Sequence, residues 1–558
     1  MVGASWVYSA PVLIYDQAIL NGSCPEPPGC AVSAMGGPVD VASGKMWYDQ
    51  EDLRIEGPLP VVFSRRYNQR LEAVNGPFGY GWTHAYALSV WTSLGAGHLR
   101  DGEGREVLFP ARLQGGYADN PRHHLSFAAI SGGYRVTTKD QTKYNFNTSG
   151  NLTSIVDRNG NTVTLAYDGS GRLSSVTDPL GRVLTFGYDA GNRIVSLTDG
   201  SRTVTYGYDG SGNLQSVVDA ASKTWTFAYD SSHRLLSITD PLGHVAEAFT
   251  YDGSDRVATF QRDSGSDALT FTYTSTTQTT VTHSSGNVTS FTLDPYNGVA
   301  TAISGPGCPS CGTGTHESYV LDGYLNKTQI TDGNGNITKQ TFDLYGDVLT
   351  KTEAYGTSLQ RTTTYTYDPT YHFVTSVTVP SVDTGGQNRV ETYGYDGSGN
   401  LVSRTVSGYS NGSPFTQTTT YTYDARGRVL TEDGPRTDVS DVTTYAYSSD
   451  SDPDPAKRGR LHTVTDALGH VTTINGYTLS GKPTVTLDKN NVERDDGYDA
   501  LDRLLTTTIK GAGPGGTDVV TSYTLNDAGL PTLVTLPNGN TLAYGYDAVN
   551  RLASITDQ

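Results

Sequence analysis

The residues that could do chemistry in this chain fall into a few short constellations. Gly408-Tyr409-Ser410-Asn411-Gly412 has the G-x-S-x-G spelling of a hydrolase nucleophile. That spelling works only on a strand-to-helix elbow, and the Thr-rich surroundings predict a polar loop between strands. Gly476–Lys482 (GYTLSGK) follows a phosphate loop up to its last position. There Pro483 replaces the Ser or Thr that would hold Mg²⁺, and no helix is expected after it. Asp157-x-Asn159-x-Asn161 and Asp332-x-Asn334-x-Asn336 open like calcium loops, with Asp168 and Asp343 twelfth. Thr162 and Ile337 stand where glycine is required, and no Glu closes either loop. An Asn-Gly hairpin turn accounts for both stretches.

The four cysteines form two local pairs, Cys24/Cys30 and Cys308/Cys311. Each reads as a thiol pair or local disulfide stapling a loop. A thioredoxin-like reaction requires a βαβ context, and zinc requires four ligands; His316 is near the second pair, with no fourth ligand beside it. His123-His124 reads as a solvated loop. His244 and His470 follow a Leu-Gly turn that carries Arg182 in a sister copy, so they read as turn surface. None of these sets closes into a catalytic, metal or cofactor site, and the chain reads as a non-enzyme without a cofactor.

What remains is repetition. Tyr-Asp recurs at Tyr167-Asp168, Tyr188-Asp189, Tyr208-Asp209, Tyr229-Asp230 and Tyr251-Asp252, in steps of 21, 20, 21 and 22 residues. It returns at Tyr367-Asp368, Tyr395-Asp396, Tyr423-Asp424, Tyr498-Asp499 and Tyr546-Asp547. Worn copies such as Phe146-Asn147, Tyr273-Thr274, Phe342-Asp343 and Tyr447-Ser448 fill the gaps. An enzyme needs one site and not a dozen, so these positions read as structural, the aspartates as turn formers that accept backbone N–H bonds.

A repeat near 21 residues fits two short strands and two tight turns. Leu184, Phe186 and Tyr188 share one face of an alternating strand, as do Val204, Tyr206 and Tyr208. The residues between them are small or polar, which predicts β-strands with one apolar face. About eighteen such units imply a sheet of about 35 strands, far beyond the ten or so at which open sheets curl, split or close. An apolar stripe of that size must be covered. The expectation is an all-β chain whose hairpins form one spiralling sheet, a hollow shell that is complete or partial. A β-propeller, with two units per blade, is the structural rival.

The chain has 558 residues, 64 Gly, 36 Tyr and a net charge of −18. That balance disfavours nucleic-acid binding, which relies on Lys and Arg neutralising phosphates. No apolar run is long enough for a membrane-spanning helix, and Met1–Leu20 makes a poor signal peptide because it lacks a basic start. The organisation expected is an irregular segment over 1–36, a β-rich domain over 37–142 and the repeat array over 143–558. Insertions at Pro380–Asn388, Gly408–Pro414 and Ser448–Lys457 are the expected places for variable contacts.

The Tyr-Asp unit with Gly-Arg-Leu (Gly171–Leu173) and Thr-Asp-Pro-Leu-Gly (Thr177–Gly181, Thr239–Gly243) resembles the YD repeat of Rhs (rearrangement hotspot) proteins. These are relatives of teneurins and of the shell subunits of insecticidal toxin complexes. Gly37–Phe109 resembles the domain that precedes those repeats. The resemblance implies a cocoon enclosing a C-terminal toxin domain used against competing cells, secreted or displayed at the bacterial surface. It also implies a secretion-machine tip or a chaperone as partner. The family's core normally ends in a Pro-x-x-x-x-Asp-Pro-x-Gly self-cleavage block, which these residues lack. The expectation is therefore a wall segment without end plug or toxin. The competing reading is an extracellular adhesion or carbohydrate-binding protein. Aromatic-rich insertion loops would favour it, whereas Gly408–Pro414 and Ser448–Lys457 are small, polar or acidic.

Overall fold

The computed structural model describes residues 38–120, 123–262, 265, 267–308, 312–381, 386–410 and 412–558. From Ser126 to Asp557 the chain is one antiparallel sheet of 38 strands, each paired with its neighbours in sequence. It starts with Ser126–Ile130, includes everything from Lys143 on, and ends with Leu552–Asp557. Ser126–Ile130 pairs only with Gly133–Thr137, and Leu552–Asp557 only with Thr541–Tyr546, among the described residues. All six residues of Leu552–Asp557 are exposed. The sheet is thus an open ribbon, and the propeller is excluded because no blades separate.

The alternation seen in the sequence sets the two faces. Leu184, Phe186, Val204 and Tyr206 are buried, while Thr185, Thr203 and Thr205 are exposed. A register shift sits just before the tyrosine in unit after unit, at Ala166/Tyr167, Gly187/Tyr188, Gly207/Tyr208, Gly394/Tyr395 and Gly545/Tyr546. The residue before the bulge is small for a reason. A Cβ on Gly187 would lie 2.3 Å from Ser196 Oγ, and one on Gly545 would lie 2.4 Å from Ser554 Oγ. Where threonine takes that place its hydroxyl bonds the facing threonine, as in Thr250 with Thr259 and Thr422 with Thr431. Bulges of this kind bend and twist a strand, and repeating one per unit gives the ribbon a steady curvature.

The ribbon winds back on itself. Asn159 and Asn400 exchange amide hydrogen bonds of 3.2 and 3.0 Å. Asn161 Nδ2 donates to Arg426 O at 3.0 Å, Arg458 donates to Leu180 O at 3.3 Å, and Arg202 donates to Ser480 Oγ at 2.9 Å. Lys223 pairs with Asp527, and Asn550 donates to Asp240 at 2.7 Å. Residues 139–240 of a first coil (126–299) thereby dock onto residues 345–550 of a second coil (327–557).

The segment before the ribbon is β structure too. Trp47–Ile55, Val61–Asn68 and Trp82–His84 make one three-stranded sheet, and Ser89–Ser93, Ala96–Arg100 and Glu106–Phe109 make another. The first of these covers the first coil. Phe63 packs on Phe186, Phe78 on Tyr206 and Trp82 on Phe227. One continuous hydrophobic core results, from Val39 in the covering domain to Ile303 in the ribbon.

Candidate functional site, the repeat wall

Nine of the ten Tyr-Asp dipeptides sit at one type of turn, and Asp368 opens a version one residue longer. Asp168 shows its chemistry. Its Oδ1 accepts the N–H groups of Ser170 (2.9 Å) and Arg172 (3.0 Å), and its Oδ2 accepts Arg172 Nε at 2.7 Å. Asp189, Asp230, Asp252, Asp424, Asp499 and Asp547 hold the arginine four residues on in the same way. Asp209 and Asp396 hold an asparagine there, and Asp368 accepts the amides of Thr370 and Tyr371. The third residue after the aspartate, or the fourth after Asp368, takes positive φ, which explains Gly171 and Gly212 at that place and makes Asn192 and Asp255 acceptable there. Bonds from the Arg172 and Arg551 backbones hold the Asp168 and Asp547 carboxyls below the usual carboxylate range.

The tyrosines lock consecutive units together. Tyr188 Oη donates to Leu173 O at 2.8 Å, and the Arg172 guanidinium lies 4.6 Å over the Tyr188 ring. Asp168 therefore fixes Arg172, Arg172 covers Tyr188, and Tyr188 bonds the carbonyl next to that same arginine. Tyr167, Tyr208, Tyr229, Tyr251, Tyr367, Tyr395, Tyr423 and Tyr546 make the same bond to a carbonyl of the preceding unit. Burial pushes the Tyr188 and Tyr423 phenols up to about 12. Tyr498 precedes Asp499 in the same bulged geometry.

The two edges of the ribbon have different partners. In the first coil the Tyr-Asp turns face the covering domain: Ile194 N–H donates to Pro77 O (2.7 Å), Val257 N–H to Gly44 O (2.8 Å), and Tyr67 Oη to His233 O (2.9 Å). Its opposite edge, with Asn159, Asp178, Asp199 and Asp240, meets the Tyr-Asp turns of the second coil, and Arg182 and Arg202 on that edge also donate to the Glu56 and Arg54 carbonyls of the covering domain. The coils thus stack head to tail. The other edge of the second coil carries the ends of strands Leu401–Ser410 and Ser413–Tyr423. Ser448–Lys457, by contrast, lies in the seam beside Leu180 and Arg458. No single-sequence signal pairs Asn159 with Asn400, because the contact depends on how far the ribbon travels before it returns.

Inner-face chemistry changes along the ribbon. The covering domain packs on the face carrying Phe186, Tyr206 and Phe227. Strand register carries that face on through Phe260, Phe291 and Ile303 to Lys351, Tyr365, Glu391, Tyr393, Arg404 and Glu432. Beyond Ile303, Val534 is the one buried hydrophobic side chain among the described residues. Glu391 accepts Tyr393 Oη at 2.7 Å and Arg404 Nη2 at 2.9 Å. Its burial alone would raise the carboxyl, but these bonds and the Arg404 and Arg389 charges hold it low. Past Ile303 this face therefore mixes tyrosines, threonines and internally paired charges with aliphatic residues such as Ile330, Val377, Val464 and Ile474, so the apolar stripe expected is interrupted.

The remaining constellations resolve as follows. Asn161 Nδ2 donates to Asp157 Oδ2 at 2.8 Å, so protein donors occupy the carboxylate of the calcium-like loop. Thr478–Lys482 is a turn, with Leu479 O accepting Glu56 N–H and Arg460 Nη2. Ser410 is exposed at the end of strand Leu401–Ser410, with no helix behind it, and Asn411 lies outside the described residues. Cys24, Cys30 and Cys311 also lie outside them, as does the side chain of Cys308, which ends strand Ala300–Cys308. Donor atoms of Asp343, Asp347 and His372 come within 4.8 Å of one another. Asp347 already accepts Lys139 and His372 Nδ1, so the Lys139 ammonium provides the positive charge that a metal ion would. Among the described residues, no helix is long and apolar enough to cross a membrane.

Comparison with known proteins agrees with the repeat pattern. A family model described as RHS Repeat matches residues 146–183, 167–204, 208–245, 229–268 and 526–557. One described as a domain of unknown function (DUF6531) matches 36–109. The tRNA nuclease WapA of Bacillus subtilis (strain 168) is 29% identical over 134 residues, 24% of this chain and 6% of that protein. The tRNA3(Ser)-specific nuclease WapA of Bacillus spizizenii gives the same figures. Among solved structures, a TcdB2-TccC3-Cdc42 crystal structure aligns with a TM-score of 0.41 and 12% identity, over 92% of this chain and 32% of that one. A Photorhabdus luminescens Tc holotoxin pore gives 0.40 and 13%, over 90% and 31%.

Proposed function

This chain belongs to the Rhs (YD-repeat) family, and from that premise we propose that it is a wall segment of an Rhs-type toxin. In this reading the wall encloses a C-terminal toxin domain, which lies outside these 558 residues, and helps deliver it. The residues before Ser126 act as the cap of the wall and the ribbon from Ser126 to Asp557 as the wall itself. The Tyr and Asp positions of the repeat are its fasteners and carry no reaction. The protein is secreted or surface-exposed, and the edge of the second coil carrying the ends of Leu401–Ser410 and Ser413–Tyr423 meets a secretion-machine tip or chaperone.

The observation that carries the reading is the contrast on the inner face. The covering domain packs on the inner face of the first coil, and among the described residues nothing packs on the inner face of the second. Its tyrosines, threonines and paired charges form a surface on which a polypeptide can rest without being bound tightly. The nuclease activity in the names of the WapA relatives stays with those proteins, because the aligned stretch is 6% of their length.

The test uses the full gene product. A domain following Gln558 is expected to resist added protease while the wall is folded, and to be cleaved at once when the wall is opened by acid or denaturant. Equal digestion in both states contradicts the reading.

A further inference from the structure

The small sheet of Ser89–Ser93, Ala96–Arg100 and Glu106–Phe109 contributes one polar side chain from each strand to a single line. Ser93 Oγ lies 2.7 Å from His98 Nε2, and His98 Nδ1 lies 2.7 Å from Glu106 Oε1. Register puts them there. Ser93 pairs with Ala96, Trp91 with His98, and Arg100 with Glu106, so all three triad members share a face with Trp91 and Arg100. The opposite face buries Val90, Leu99, Val107 and Phe109 in the domain core, which anchors the strands. The Trp91 ring stacks on the imidazole at 5.0 Å and 7°, fixing its plane. The serine immediately precedes a tight turn in which Leu94 and Gly95 have φ of 49° and 80°. The central amides of such a two-residue turn lie outside the strand ladder.

We propose that Ser93, His98 and Glu106 are a nucleophile, general base and orienting carboxylate that hydrolyse exposed esters. Such triads are recognised by geometry and not by order in the chain. In the first step Ser93 Oγ bonds to the ester carbonyl carbon while its proton passes to His98 Nε2. Glu106 holds the other ring nitrogen and stabilises the imidazolium. The Leu94 and Gly95 amides are the donors assigned to the oxyanion. The tetrahedral adduct then breaks its bond to the alcohol, which leaves with the proton from His98. Water, deprotonated by the same nitrogen, frees the acid and restores the serine. Ser93 is exposed and Glu106 is 48% exposed, so the site does not exclude water. That favours unhindered esters displayed on a larger molecule over amides, which need stronger oxyanion stabilisation. This activity is independent of the wall function.

The test is labelling of the whole chain with a fluorophosphonate probe, read by intact mass and peptide mapping, beside turnover of p-nitrophenyl acetate. Attack forms an Oγ–P bond and releases fluoride. The expected result is one adduct at Ser93 that is absent in Ser93→Ala and forms at least about 100-fold more slowly in His98→Gln, the range of general-base catalysis. Ester turnover is expected to fall in parallel in both variants and in Glu106→Gln. Because all three residues lie on a solvent-facing sheet surface, unchanged circular dichroism checks the fold. Absence of a Ser93 adduct in the wild type, or equal labelling rates in His98→Gln and wild type, overturns the proposal and leaves a structural hydrogen-bond network.

Discussion

The first and second coils are built from the same unit and stand in opposite circumstances. Leu184 and Val377 both lie on the inner face, yet Leu184 is 0% exposed beneath the covering domain and Val377 is half-buried. The turns do not share this difference. Asp189 and Asp424 make the same bonds to Arg193 and Arg428, and Tyr208 and Tyr447 lie under those arginines at 4.4 and 4.6 Å. The unit therefore derives its geometry from its turns and its tyrosine locks, while core burial is optional and local. A wall assembled this way can enclose a space without collapsing into it.

The largest effect that would sharpen this contrast is at the cap. Arg65 is fully buried with Asp52, which also accepts Tyr206 Oη at 2.8 Å, and it lies 5.1 Å over Trp82. Arg65→Ala leaves Asp52 buried and unpaired, an expected loss of about 3–5 kcal/mol. Denaturant unfolding monitored by hydrogen exchange should show that loss in the cap and first coil, with second-coil protection nearly unchanged.

Next comes the inner face itself. Leu184→Ala is expected to cost about 2–5 kcal/mol, the range for a fully packed leucine. Val377→Ala should cost less than about 1 kcal/mol, because its face is already half wet. Equal losses would mean that the second coil is as tightly covered as the first. A smaller and uniform effect is expected at the turns. Asp189→Ala and Asp424→Ala should each cost about 1–2 kcal/mol, the scale of charge-assisted hydrogen bonds, and the two coils should not differ.

The smallest and most global effect is pH. The turn carboxyls of Asp168 and Asp547 are held low, so their contribution is present above the ordinary aspartate value and is lost as pH falls through about 4 and below. The Tyr188 and Tyr423 phenols are raised to about 12. Their contribution is complete below about 10 and is lost as pH rises from there toward 12. Thermal melts across pH should therefore weaken at both ends in both coils. A melt that stays flat below pH 4 would deny the turn aspartates their role.

Much of this was legible in the sequence. Tyr-Asp spacing near 21 residues, the Leu184/Phe186 alternation and the small residue before each tyrosine prescribe the hairpins, because each is enforced within one unit or between neighbours. The seam was not legible. Asn159 meets Asn400, and Asp240 meets Asn550, only because of the curvature summed over many bulges. The inner-face change was half visible: Glu391, Arg404 and Glu432 can be read off the alternation, but not that Phe63, Phe78 and Trp82 cover the first coil and stop short of the second. The Ser93, His98 and Glu106 line is not legible for a similar reason, since it needs the register of three strands at once.

Winding is the claim on which the rest depends. Lys139 pairs with Asp347 and Lys223 with Asp527 across the seam. Zero-length carbodiimide cross-linking of the unmodified chain, followed by peptide mass spectrometry, should join Lys139 to Asp347 and Lys223 to Asp527. Cross-links confined to neighbouring hairpins, with neither long-range pair, would mean that the ribbon does not coil upon itself and that no wall forms.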